Sequence, residues 1–190
     1  MQMESTKTCA LVGGTALSLV YGHRLSIDLD LFSTEKLNIA KLIDELSDTF
    51  GRSFEYTPGP DTVGIFCFIN NIKVDIINYP HPLIQPVVST DGVRMYHTDD
   101  IVAMKVSTVL GRGKKKDFWD VAELLHHYSI ADMIELHGKK YPNHQLLISI
   151  PKALTYFQDA EDGEDPISLK GQTWEQVKET ITLAVNRYLH

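Results

Sequence analysis

Apolar residues recur along the chain with two different periods. From Ser26 to Phe32, Ile27, Leu29 and Leu31 alternate with Ser26, Asp28, Asp30 and Phe32, the two-residue period of a strand with one buried face. Ile39, Leu42, Ile43, Leu46 and Phe50 recur at helical spacing between Lys41, Asp44, Glu45 and Asp48, which predicts an amphipathic helix over 37–50 covering one face of a sheet. Val63 to Ile69 and Ile72 to Asn78, joined by Asn70-Asn71, predict a hairpin, and TPGPD at 57–61 supplies turn residues ahead of it. The apolar run 9–12 ends at Gly13-Gly14, and a turn or two of helix is expected from Thr15 to Tyr21, broken by Gly22 and His23. Beyond the proline-punctuated YPHPLIQP at 79–86 the helical period takes over, with helices expected over 99–110, 117–128, 145–157 and 174–189. The order is α/β first, then helical.

Composition narrows the function classes. With 190 residues, 43% of them hydrophobic, the chain can bury one core, or a core plus an appendage. A net charge of -7 argues against a surface built throughout for nucleic acid or membrane, because such binding relies on Lys and Arg, so any polyanion site is local. The two cysteines, Cys9 and Cys67, lack metal-ligand spacing and sit beside apolar residues, as reduced buried thiols do. No run approaches the roughly 18 apolar residues of a membrane span, and the first residues lack the pattern of a signal peptide, so a cytoplasmic location with no membrane partner is expected. The acidic DAEDGEDP at 159–166 lacks the ligand alternation of a calcium loop and reads as a solvated loop.

The alternation raises a chemical question at Asp28 and Asp30. Carboxylates at i and i+2 on one strand face lie about 6 to 7 Å apart and repel unless a positive charge sits between them. A divalent cation with oxygen ligands answers this, and Asp75, which faces away from Val74 and Ile76 in KVDII, is the natural third ligand. Ordinary polar positions on the open face of an antiparallel sheet explain the same three residues. Gly13-Gly14-Thr15 lies between a short strand and a helix start, where bare backbone and helix-terminal N–H groups can bind phosphate. A tight turn with Thr15 as helix N-cap is the alternative, and the lysine of a P-loop is missing.

Taken together, GGT, a short helix and D-x-D resemble the signature of the polymerase-beta-like nucleotidyltransferases, and LVGGTALSLVYGHRLSIDLDLF is similar to the AbiEii/AbiGii toxin family in particular. KVDII resembles that family's third-carboxylate strand, DIVAMKVSTVLGRGKKKDFWD its lysine motif followed by K-D-x-x-D, and ALTYFQDAE the tail of its compact members. The resemblance implies a minimal nucleotidyltransferase core with a small mixed sheet over 1–95, then a helical subdomain over 96–190, with the active site in the cleft between them. By the same resemblance Gly13, Gly14, Thr15 and Ser26 line the triphosphate site, Asp28, Asp30 and Asp75 carry the metals, and Lys105 with Asp117 or Asp120 completes the site.

Three of these features also carry their own physical argument. Lys105 shares a helical face with Ile101, where an ammonium either snorkels to water or meets an anion such as a nucleotide phosphate. Asp117 and Asp120 could act as proton acceptor or as orienting groups, but D-F-W-D before an apolar run is also an N-cap with an acidic first turn. Arg112, Lys114, Lys115 and Lys116 form the one dense basic run, either a solvated loop or an RNA backbone contact. His23 and Arg24, just before the carboxylate strand, could approach substrate phosphates, with Arg24 pairing to an aspartate as the alternative, and none of the eight histidines has zinc-site spacing.

The activity expected from this set is transfer of a nucleotide from an NTP to an acceptor hydroxyl, dependent on Mg²⁺ or Mn²⁺ and releasing pyrophosphate. The resemblance further implies the toxin of a type IV toxin-antitoxin or abortive infection system, with a cognate antitoxin and a tRNA 3′ end as acceptor. The alternatives are a non-catalytic nucleotide- or partner-binding module on the same fold, and nucleotidylation of a small molecule.

Overall fold

The structure is a computed structural model that describes residues 3–57 and 63–190, so TPGPD, apart from Thr57, lies outside the described residues. The chain divides into two units, Met1–Ala16 with Ile27–His97, and Leu17–Ser26 with Thr98–His190. The division falls inside the first helix, α1 (Gly13–Tyr21).

The first unit is a seven-stranded mixed sheet. Its strands are β1 (Ala10–Val12), β2 (Leu29–Ser33), β3 (Phe54–Tyr56), β4 (Gly64–Ile69), β5 (Ile72–Asn78), β6 (Val88–Thr90) and β7 (Val93–Met95), in the order β3-β4-β5-β2-β1-β7-β6. β2 pairs with β5, and β1 with β7, in parallel; the remaining pairs are antiparallel. The helix α2 (Ile39–Phe50) starts at Asn38, whose side chain accepts from the Lys41 N–H. It buries Leu42 and Leu46 against Ile65, Cys67, Val74 and Ile76, so one face of the sheet is core. Each such side chain contributes about 1.5 to 3 kcal/mol by leaving water.

Asn70 and Asn71 both take left-handed backbone, at φ 50° and 63°, as a two-residue hairpin turn twisted to match its strands requires. Asp91-Gly92 does the same between β6 and β7, a hairpin whose three-residue strands are too short to show a hydrophobic period. The first strand of the carboxylate pattern is shorter than the alternation suggests: pairing begins at Leu29 rather than Ser26, which leaves Ile27 61% exposed instead of in the core. Cys9 and Cys67 are free and buried, and burial pushes both thiols up to about 11, so neither is poised to react.

The second unit is helical, built from α3 (Thr98–Gly111), α4 (Lys115–Leu124), α5 (Ile130–Lys140), α6 (Ile150–Leu154) and α7 (Trp174–Leu189). Phe118, Trp119, Phe157 and Trp174 pack ring against ring at its centre. The helix expected over 145–157 is reduced to α6. Pro151 suits a helix start, whereas Leu147 before it is fully exposed, so the upstream turns have no packing to sustain them. The helix expected to reach Tyr128 ends at Leu124, and α5 then begins from a reciprocal Ser129–Asp132 capping box. Among the described residues no helix is long and apolar enough to cross a membrane.

Candidate active site

The site-forming features of the first unit share the sheet face opposite α2. Leu29 and Leu31 pack towards the core, so Asp30 points the other way, and Asp28 lies in the segment just before β2. Asp30 is the register partner of Val12 on one side and of Asp75 on the other. Adjacent strands lie about 4.8 Å apart, which puts the Asp30 and Asp75 carboxylates side by side. The glycine pair follows Val12 directly, so the turn opens beside Asp30.

Gly13 has a specific reason to be glycine. Its backbone is left-handed, at φ 72°, and a Cβ there would lie 2.6 Å from the Asp30 Oδ2. The carboxylate thus occupies the place of a side chain. Thr15 does not cap α1 from outside the helix: it lies in the first turn, and its hydroxyl donates to the Asp28 carbonyl, tying the glycine turn to the carboxylate segment. Gly14 is buried, and the positive end of the α1 backbone faces whatever anion the turn admits. Ser26 is half-buried in the segment before β2 and belongs with the second unit.

Asp75 is buried, and its two oxygens differ. Oδ2 accepts from the Lys73 ammonium, while Oδ1 is shielded from solvent and has no hydrogen-bond partner among the described residues. Such an oxygen is costly unless something binds it. Hard carboxylate oxygens on neighbouring strands, one of them unsatisfied, suit a hard divalent cation, and Asp28, Asp30 and Asp75 are the residues that would hold it. Among the described residues, no three His, Cys, Asp or Glu side chains converge as a finished metal cage. Lys73 was not singled out from sequence, although its place two residues before Asp75 puts it on the same strand face.

The remaining predicted residues form a buried ionic cluster in the second unit. Lys105 on α3 is 7% exposed, and its ammonium lies 3.0 Å from Asp117 and 2.6 Å from Asp120, both on α4 and fully buried. Asp120 also accepts from Arg24 Nε and Nη2, at 2.7 and 2.9 Å, and lies 2.7 Å from His23 Nε2. Burial works against charge on Asp120, but Lys105, His23 and Arg24 outweigh it and hold its pKa well below the carboxylate range. Burial likewise opposes the Lys105 charge, and the two aspartates more than reverse this, raising its pKa. Asp117 additionally accepts from the Lys114 N–H at 3.2 Å, the role of a first-turn acid at a helix start. Both aspartates are therefore organised by cations, with Asp120 at the centre; Arg24 meets an aspartate, one of its two expected roles, and His23 joins it there.

The basic run does not act as one surface. Lys115 Nζ lies 2.8 Å from Asp165 and 5.4 Å from the Trp174 ring, so it fastens the acidic loop to the helices. Arg112 is 59% exposed and 3.8 Å from Asp117, and the Lys114 and Lys116 side chains are exposed. Glu161 in the same acidic loop accepts from Trp174 Nε1 and Lys178, so that loop is anchored rather than merely solvated.

Residues 2–186 match the family model described as nucleotidyl transferase AbiEii toxin, type IV TA system. The chain is 35% identical over 188 residues to the uncharacterised protein aq_aa25 of Aquifex aeolicus, covering 94% of this chain and 87% of the relative. Its fold is similar to that of MenT4, a nucleotidyltransferase toxin of Mycobacterium tuberculosis, with a TM-score of 0.61 at 12% identity over 98% of this chain and 78% of that one. It is also similar to JHP933 from Helicobacter pylori, with a TM-score of 0.59 at 19% identity over 96% and 84% of the two chains. A family match over nearly the whole length makes the chain a nucleotidyltransferase belonging to the AbiEii toxin family of type IV toxin-antitoxin systems.

Proposed function

We propose that the carboxylate face of the sheet transfers a nucleotide from an NTP to a hydroxyl of RNA, with the 3′ end of tRNA as acceptor, and that the chain acts as a cytoplasmic toxin restrained by its antitoxin. The observation that carries this reading is the single row of Val12, Asp30 and Asp75, which sets a phosphate-binding turn beside two carboxylates. Gly13, Gly14 and Thr15 hold the triphosphate through backbone N–H groups, with Ser26 as a further polar contact. The acceptor oxygen attacks the α-phosphorus, the bond to the bridging oxygen breaks, and pyrophosphate leaves. Asp75 Oδ1, which has no hydrogen bond to give up, receives the acceptor's proton. Mg²⁺ or Mn²⁺ held by Asp28, Asp30 and Asp75 would neutralise the triphosphate and lower the acceptor's pKa. Lys105, Asp117 and Asp120 serve as a charge cluster that fixes α3 on α4.

The test is incubation with each labelled NTP, Mg²⁺ and total tRNA. Label should pass to RNA with the wild type and not with Asp28→Ala/Asp30→Ala; equal incorporation by both would sink the proposal. One observation favours a second reading: the Lys73 ammonium already neutralises part of Asp75. On that reading the chain binds nucleotide without metal and without turnover. Calorimetry with and without Mg²⁺ separates the two, since only the catalytic reading requires tighter NTP binding with the ion.

A further inference from the structure

Two large aromatic side chains lie on the same sheet face as the carboxylates, and neither is in the core. Phe66 is 55% and Phe68 47% exposed, whereas Ile65 and Cys67 between and before them are buried against α2. Strand register fixes their neighbours: Phe66 lies opposite Asp75 and Phe68 opposite Lys73. One row across the sheet therefore reads Val12, Asp30, Asp75, Phe66. The phosphate turn sits at one end of the row, the carboxylates in the middle and an exposed ring at the other end.

That order assigns sides. The triphosphate lies towards Gly13, so the acceptor must approach Asp75 from the β4 side, about one strand spacing of 4.8 Å away. Exposing two phenylalanines to water forgoes the apolar burial that would otherwise place them inside. A flat apolar face is what an unstacked base seeks, and every base has one. The two rings are separated by an i, i+2 step of about 6 to 7 Å, too far to cover one another, so each offers its own face. Lys73, in the row of Phe68 and exposed over 44% of its side chain, pairs with Asp75 and also offers its cation to a phosphate. Glu55, opposite Phe68 on β3, repels phosphate and keeps the backbone on the Lys73 side.

We propose that Phe66 and Phe68 are a stacking platform for the terminal bases of a single-stranded RNA acceptor, placing its 3′ hydroxyl beside Asp75. This rests on the reading of the carboxylate face as the site of nucleotidyl transfer to RNA. The platform selects acceptors by strandedness rather than sequence: bases in an intact duplex are stacked on each other and cannot use it.

The experiment uses the full chain and a fluorescein-labelled 12-nucleotide single-stranded RNA, with binding read by anisotropy in the absence of NTP and transfer read on the same RNA. Phe66→Ala/Phe68→Ala should weaken RNA binding by about 30-fold or more, as expected for losing two base–aromatic stacks. Phe66→Tyr/Phe68→Tyr should bind within about threefold of wild type, since it keeps the rings, and NTP binding by calorimetry should be unchanged in both. Unchanged RNA affinity in the alanine variant overturns the platform. So does a loss of NTP affinity with RNA affinity intact, which would give the rings to the nucleotide's own base. A wild type that labels no RNA, combined with weakened RNA binding by the alanine variant, overturns the transfer reading but leaves the platform standing.

Discussion

Gly13→Ala should report the contact between the phosphate turn and the carboxylate strand. The substitution places an L side chain at φ 72°, which costs about 1 to 2 kcal/mol. It also sets the new Cβ 2.6 Å from the Asp30 Oδ2, closer than real side chains approach, so the carboxylate must turn away. Forcing a short side chain off its rotamer adds about 0.5 to 1.5 kcal/mol. With Asp30→Ala the oxygen is gone and the nearest remaining atom, the residue 30 Cβ, lies at an ordinary 3.7 Å. Gly13→Ala should then cost only the backbone share. Urea denaturation of the four proteins of this cycle should give a coupling of about 0.5 to 1.5 kcal/mol. A cost for Gly13→Ala that is the same with and without the Asp30 carboxylate would refute the close approach. Labelling by Gly13→Ala should fall towards that of Asp30→Ala although the protein remains folded.

Three further outcomes are expected. Lys105→Met leaves Asp117 and Asp120 buried without their shared cation and should lower stability by about 3 to 5 kcal/mol in chemical denaturation; a loss under about 1 kcal/mol would mean that Arg24 and His23 suffice. Burial holds the His137 imidazole below its usual value, so the folded state favours the neutral ring; its contribution is complete above the unfolded value of about 6.5 and is lost as pH falls through the folded value. The melting temperature should accordingly drop between pH 7 and 5 less steeply in His137→Gln, and identical slopes would contradict this. Arg112→Gln/Lys114→Gln should weaken RNA binding with a salt slope shallower by about 0.7 per lost contact, while Lys115→Gln should mainly cost stability because Lys115 is tied to Asp165; an unchanged salt slope for the first variant would remove the run as an RNA contact.

Much of the sheet was legible because its periods are strict. The hairpin of β4 and β5 follows from alternation interrupted by Asn-Asn, and α2 from its apolar stripe. The family and its activity were legible for a different reason: GGT and D-x-D at short separation are a constraint of chemistry, not of packing. What escaped was decided by tertiary partners. Ile27 looked buried by alternation but lies before the first paired residue of β2, and the apolar residues of 145–149 have the spacing of a helix with nothing to pack against. The α5 helix had a readable start in Ser129 and Asp132 and an apolar stripe of Ile130, Met133 and Leu136, and went unread because the expected helix was carried on to Tyr128. Sequence offered Asp117 or Asp120 as a partner of Lys105 and an aspartate as a partner of Arg24, but not that Lys105, Arg24 and His23 would all meet on Asp120, because they are distant along the chain and only burial makes their pairing obligatory. Phe66 and Phe68 read as ordinary strand residues until the register set them beside Asp75 and Lys73.

The most direct test of the carboxylate face as the reacting centre is diffraction from crystals soaked with an NTP and Mn²⁺, using the anomalous signal of the metal. Anomalous density against Asp28, Asp30 and Asp75, with the triphosphate on Gly13, Gly14 and Thr15, is the expected result. Triphosphate or metal bound elsewhere, with these carboxylates bare, would contradict it.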